Sequence, residues 1–218
     1  MRDELMIDDS ATLWAPGDRE GRPLLVLLHG YGADEHDLLG LAGYLPDGIA
    51  VASVAAPLAP PFPTPGRSWY PIEGLDGRSA DAVTAAARAL LGWLDTAAAD
   101  APSVALLGFS QGAAVSLQAL RLAPERFGAV VALSGYATPG ELPADETLRA
   151  SRPAVFWGRG SADDVIPPAL IAHTAQWLPD HADLSGRVYM GLTHSISEEE
   201  LGDVHRFLSD WLDRVAAH

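Results

Sequence analysis

The sequence predicts an α/β fold in which helices flank a mostly parallel central sheet. Three observations carry that prediction. Short apolar runs of strand length alternate along the chain with segments whose apolar residues recur at helical spacing. The runs are continuous, not alternating, which suits strands buried on both faces of a parallel sheet. At 104–114, one such run passes through Gly108-Phe109-Ser110-Gln111-Gly112 into a helix-forming segment. That is strand, sharp turn and helix, with a serine at the apex.

Taken in order, residues 1–22 are polar with a few apolar points and suggest a short edge strand or hairpin. Pro-Leu-Leu-Val-Leu-Leu at 23–28 is a buried strand that ends in His29-Gly30-Tyr31-Gly32. Asp34 is placed to cap a helix carrying Leu38, Leu39, Leu41, Ala42 and Leu45. A second buried strand fits Ile49 to Ala56. Residues 57–76 follow, and their prolines forbid a helix or central strand. This long loop carries Trp69 and Tyr70; it reads either as a surface loop pinned by two aromatics or as a substrate-pocket wall.

A helix is expected over 78–98, then the strand 103–108 and a helix ending before Pro124. The next strand is 128–133, and a polar insertion over 137–152 separates it from the strand at 154–157. A helix at 168–178 precedes a strand at 187–190. The last helix runs from 198 to 215, with Ser197 and Glu200 as a capping box. No linker or repeat divides the chain, so residues 1–218 read as one domain.

Composition narrows the function classes. Fourteen basic against 29 acidic residues give a net charge of -15, which argues against nucleic acid and anionic membrane surfaces as partners. The chain has no cysteine, so thiolate nucleophiles and Cys-ligated zinc are excluded. No apolar run approaches the ~20 residues of a membrane span. The acidic N-terminus lacks an apolar signal core, and the expected location is cytoplasmic. A homodimer is compatible with the sequence.

The chemistry centres on Ser110. In a strand–turn–helix apex, side chains at positions 108 and 112 would collide, and glycine fits both. The turn leaves the backbone N–H of Gln111 at a helix start, facing any negative charge that develops nearby. A serine needs a base, expected to be a histidine held by a carboxylate, with all three in loops beyond the strands' carboxyl ends. The strand at 154–157 is followed by a loop holding Asp163 and Asp164, and the strand at 187–190 by one holding His194. The order Ser, Asp, His is that of α/β-hydrolases. His29-Gly30-Tyr31-Gly32 occupies the first strand-to-helix loop, where a second oxyanion N–H is expected, here that of Tyr31. The His29 ring is expected to brace this loop. There is no His-Glu-x-x-His and no phosphate-cradling Gly-x-x-x-x-Gly-Lys, so neither a metal nor another cofactor is expected.

The segments His29-Gly30-Tyr31-Gly32-Ala33-Asp34-Glu35, Gly108-Phe109-Ser110-Gln111-Gly112-Ala113, Gly160-Ser161-Ala162-Asp163-Asp164-Val165-Ile166-Pro167 and Gly191-Leu192-Thr193-His194-Ser195 resemble the phospholipase/carboxylesterase family. This is the α/β-hydrolase branch that includes acyl-protein thioesterases. The resemblance runs from about residue 22 to the end of the chain. It implies a minimal α/β-hydrolase fold without a large cap domain, and esterase or thioesterase activity on acyl substrates with no cofactor. It implies Ser110, Asp163 and His194 as catalytic residues, Tyr31 and Gln111 as backbone oxyanion donors, and Trp69 as a pocket residue. The family spacing Gly160-x-x-Asp163-x-x-Ile166-Pro167 selects Asp163 over Asp164. Asp164 stands where the family usually has proline, and Tyr31 where a smaller apolar residue is common, a change that bears on substrate size. The alternative function is a non-catalytic protein of the same fold that binds a small molecule or a partner.

Overall fold

The computed structural model describes residues 5–72 and 79–217. Among them, seven strands form one sheet: β1 (Leu13–Trp14), β2 (Leu24–Leu28), β3 (Ala50–Val54), β4 (Val104–Phe109), β5 (Ala129–Leu133), β6 (Ala154–Gly160) and β7 (Asp183–Tyr189). The order across the sheet is β1-β3-β2-β4-β5-β6-β7. Only the short edge strand β1 runs antiparallel; every other pairing is parallel. From β2 the chain steps outward to β3, then returns to the far side of β2 for β4. This reversal places the loops after β2 and β4 side by side, at the crevice where open α/β sheets bind ligands.

The continuous apolar runs have the burial that their composition predicts. Every residue of β2, β3 and β5 is buried. Alternate side chains feed two cores. Val26, Leu28, Leu106, Val130 and Trp157 pack with the helices α1 (Ala80–Ala97), α2 (Gln111–Leu122) and α4 (Pro168–His181). Leu25, Leu27, Leu107, Val131 and Phe156 pack on the opposite face with Val204, Phe207 and Trp211 of α5 (Glu198–Ala216). Truncating one fully buried leucine here, such as Leu106, costs about 2–5 kcal/mol.

Four local expectations are corrected. Asp34 caps no α-helix: its carboxylate accepts the His36 N–H at 2.9 Å, and the following helix is a 3-10 segment, Leu38–Tyr44. Gly40 and Gly43 fall inside it, and two glycines in seven residues weaken an α-helix. β7 begins at Asp183, not at 187, because an edge strand half open to solvent lacks a continuous apolar run. The polar insertion at 137–152 holds a helix, α3 (Asp145–Ser151). Buried Arg121 of α2 fixes that insertion, donating to both carboxylate oxygens of Asp145 and to the carbonyls of Thr138 and Gly140. Finally, the capping box of α5 is half made. Ser197 Oγ accepts the Glu200 N–H at 3.1 Å, but the Glu200 carboxyl turns inward instead of reaching back.

Candidate active site

Ser110 sits between β4 and α2 with φ of 55° and ψ of -113°, a left-handed conformation that costs a non-glycine residue free energy. Two backbone bonds hold it there: its N–H donates to the Leu133 carbonyl at 2.9 Å, and its carbonyl accepts the Ala114 N–H at 3.1 Å. The flanking glycines are required by contact. A Cβ on Gly112 would fall on the Leu28 carbonyl, and one on Gly108 would fall on the backbone of Gly112. Strand, turn and helix are thus pressed together below the hydroxyl.

Two loops bring the other groups to it. After β7, His194 lies with Nε2 2.9 Å from Ser110 Oγ and its ring 4.9 Å, centroid to centroid, from that of Phe109. After β6, Asp163 places Oδ2 2.8 Å from His194 Nδ1. Its Oδ1 accepts the backbone N–H groups of Val165 and Ile166, at 2.9 and 3.2 Å. Burial pushes the Asp163 pKa up, but the hydrogen bond from His194, these two N–H donors and the imidazole's charge outweigh it. The net shift is below the ordinary carboxylate value. Asp164 is exposed to solvent. A hydroxyl bonded to an imidazole that a carboxylate orients can pass its proton to the ring.

The first loop is braced by His29, which is fully buried. The Ala56 N–H donates to its Nε2 at 3.2 Å, so Nδ1 carries the proton and donates to the Gly30 carbonyl at 2.8 Å. Burial lowers the pKa of His29, and the ring is neutral. This fixes the Gly30–Tyr31 peptide at the edge of the site. Gln111 is the first residue of α2, where an N–H has no intrahelical acceptor.

A cavity of about 220 Å³ opens over Ser110, lined among others by Tyr31, Tyr70, Gln111, Tyr136, Ile166 and His194. Of the two loop aromatics expected to bind substrate, Tyr70 lines it. Trp69 does not: it is fully buried, and its indole N–H donates to the His29 carbonyl at 2.8 Å. The site therefore gathers Ser110, Asp163, His194, Tyr31, Gln111 and Tyr70, and leaves Trp69 beneath it.

The phospholipase/carboxylesterase family profile matches residues 12–212. The chain belongs to this family. An acyl-protein thioesterase 1 of Saccharomyces cerevisiae is 34% identical over 105 residues, covering 46% of each chain. The esterase YpfH of Escherichia coli is 30% identical over 141 residues, covering 60% of each. The chain spans about half the length of the thioesterase relatives it matches. Among solved structures, esterase PE8 is 29% identical with a TM-score of 0.74, covering 92% of this chain and 98% of its own. The carboxylesterase of Bacillus cereus, at 19% identity, shares the fold with a TM-score of 0.77 over 92% of this chain and 93% of its own. As in a minimal phospholipase/carboxylesterase fold, the described residues place only short insertions around the sheet, and no helix among them is long and apolar enough to cross a membrane.

Two features of this family member escaped sequence reasoning. The first is the side chain of Gln111. Its Oε1 accepts the Trp69 N–H at 2.9 Å and its Nε2 donates to the Tyr70 carbonyl at 2.7 Å. The second is Tyr136, in the loop after β5, whose hydroxyl lies 2.8 Å from that of Tyr70. Neither has a local sequence signal, because each pairing joins segments more than forty residues apart. Outside the site, Asp34, Glu35 and His36 converge on an exposed turn with ligand-type atoms within 4.8 Å of one another. Arg67 Nε, 3.6 Å from Glu35 Oε2, places a fixed cation beside them.

Proposed function

We propose that this chain hydrolyses carboxylic esters or thioesters through an acyl-enzyme on Ser110. His194 Nε2 takes the Ser110 proton as Oγ attacks the substrate carbonyl. The tetrahedral oxyanion accepts the backbone N–H groups of Tyr31 and Gln111. Asp163 holds the imidazole in the tautomer that accepts at Nε2 and stabilises the imidazolium that results. His194 then gives the proton to the leaving alcohol or thiol, and the carbonyl re-forms as an ester of Ser110. A water, deprotonated by the same nitrogen, cleaves that ester and releases the acid. The cycle needs no cofactor, and one domain of one chain supplies all its groups.

The observation that carries the reading is the unbroken chain Ser110 Oγ–His194 Nε2, at 2.9 Å, and His194 Nδ1–Asp163 Oδ2, at 2.8 Å. The names of the relatives agree with it. The test is labelling by a fluorophosphonate probe, with turnover of short p-nitrophenyl esters and a thioester. Wild-type protein takes the label and turns over esters; Ser110→Ala does neither, with turnover down by on the order of 10⁴-fold. A Ser110→Ala protein that kept more than about a tenth of the activity would overturn the assignment.

A further inference from the structure

The cavity over Ser110 is closed on one side by two phenols from opposite loops. Tyr70 comes from the loop after β3 and Tyr136 from the loop after β5; each is about 1% exposed. Their hydroxyls are 2.8 Å apart, so the two side chains form one bonded bridge. Both ends of the bridge are anchored. The Tyr70 carbonyl is held by Gln111 Nε2 at 2.7 Å. The residue before Tyr136 is held by Trp157 Nε1, which donates to the Gly135 carbonyl at 3.0 Å. The residue after it is held by Thr174 Oγ1, which accepts the Ala137 N–H at 2.8 Å. Both rings also belong to the main core cluster, with helix packing behind them. Swinging either ring aside means breaking the hydroxyl bond and uncovering buried backbone polar groups.

We infer that the Tyr70–Tyr136 bridge is the specificity-determining wall of the acyl pocket and confines this protein to short acyl chains. The inference rests on the hydrolase reading above. The acyl group lies in the cavity against the bridge, and the leaving group takes the open mouth beside half-exposed Val165. A volume of about 220 Å³ holds about seven water-sized groups at ~30 Å³ each. Butyryl and hexanoyl groups fit that space. A dodecanoyl chain fits only if the wall gives way, and rigid, close-packed interiors do not yield a methylene at a time.

The experiment is a series of p-nitrophenyl esters from acetyl to dodecanoyl. Wild-type kcat/KM is expected to peak at butyryl or hexanoyl and to fall by about tenfold or more at dodecanoyl. Tyr136→Ala removes half the bridge, and the gap should close to within about threefold. Tyr136→Leu, a milder change, should move the profile the same way, with circular dichroism showing that both variants fold. A wild-type protein that cleaves the dodecanoyl ester as well as the butyryl one overturns the wall. So does a folded Tyr136→Ala protein with an unchanged profile. A readout that needs no turnover separates this from the hydrolase reading: calorimetric titration of Ser110→Ala protein with hexanoate and dodecanoate. Against the wall, dodecanoate binds no more than about tenfold tighter; with room for the chain, six further buried methylenes would add on the order of 10³-fold. A wild-type protein that neither takes the fluorophosphonate label nor turns over any ester sinks the hydrolase reading, and the titration then decides the wall alone.

Discussion

The carboxyl group of Glu200 lies against Gly158 of β6, in space that any side chain at position 158 would fill: a Cβ there would fall on Glu200 Oε1. Glu200 is fully buried, and neither of its carboxylate oxygens has a hydrogen-bond partner among the described residues. Burial, with the charge of Asp203 added, pushes its pKa up to about 7. Gly158 thus makes room for a carboxyl that the fold keeps protonated to higher pH than a solvated one.

This has a consequence for stability against pH. The folded state holds the Glu200 proton more tightly than the unfolded chain, whose value is 4.5. The group's contribution is fully present below that value and is lost as pH rises through about 7. The loss amounts to roughly 3 kcal/mol by linkage. Asp163 and Asp145, whose values are lowered, act with the opposite sign and below this window. His29 and His173, whose values burial lowers, act with the opposite sign inside the window but alike in both proteins. We therefore expect the urea midpoint of the wild-type protein to drop relative to that of Glu200→Gln between about pH 5 and pH 8. Equal drops in the two proteins would show that the midpoint change comes from other groups.

Gln111 has two separable duties. On the proposed reading its backbone N–H serves the oxyanion, while its side chain bonds to the backbone of Trp69 and Tyr70. Gln111→Ala keeps the first and removes the second, leaving the buried Trp69 N–H without its acceptor at a cost of about 1–3 kcal/mol, while the Tyr70 carbonyl keeps its bond from Ser68 Oγ. The melting temperature should fall, and kcat/KM should fall by about tenfold, less than the 10²–10³ that follows loss of an oxyanion donor. A loss in kcat equal to that of Ser110→Ala, in a folded protein, would place the amide itself in the chemistry.

What could be read from the sequence divides along a physical line. β2, β4 and β5 are buried on both faces, and their unbroken apolar runs announce them. The turn at Ser110 is equally legible as a Gly-x-Ser-x-Gly pattern, although only Gly108 is demanded by a sequence neighbour, Gly112, while Gly112 is demanded by the backbone of Leu28 and His29 on the adjacent strand and loop. β7 is half legible because one edge faces solvent and its pattern is mixed. The 3-10 segment at Leu38–Tyr44 was hidden by leucines at helical spacing, which outweighed Gly40 and Gly43. The Gln111 clamp and the Tyr70–Tyr136 bridge were not legible at all. Periodicity and turn chemistry report on neighbours along the chain, whereas these contacts depend on which loops the sheet order brings together. Trp69 shows the converse: an aromatic in a long loop suggested a pocket wall, and the indole N–H is used to tie that loop to His29.

The last prediction separates two adjacent carboxylates. Asp163 and Asp164 share the loop after β6, but their surroundings differ. The Asp163 side chain is 1% exposed and fully engaged, with Oδ2 on His194 Nδ1 and Oδ1 on the Val165 and Ile166 N–H groups. Asp164 is exposed to solvent. An amide at position 163 can present N–H where the imidazole also presents N–H, and the ring then turns to the tautomer that cannot accept at Nε2. In a triad, that substitution costs about 10⁴-fold in kcat. Asp163→Asn should approach this loss, with some loss of stability, because the two backbone donors then face a neutral oxygen. Asp164→Asn should stay within about tenfold, as expected for a residue outside the catalytic unit. The measurement is kcat for both variants on a butyryl ester, with circular dichroism to show that each is folded. The reverse ranking would transfer the acid to Asp164, against the geometry. Two mild losses would mean that His194 is oriented by Phe109 and the loop backbone, and that the Asp163 bond contributes to folding instead of to turnover.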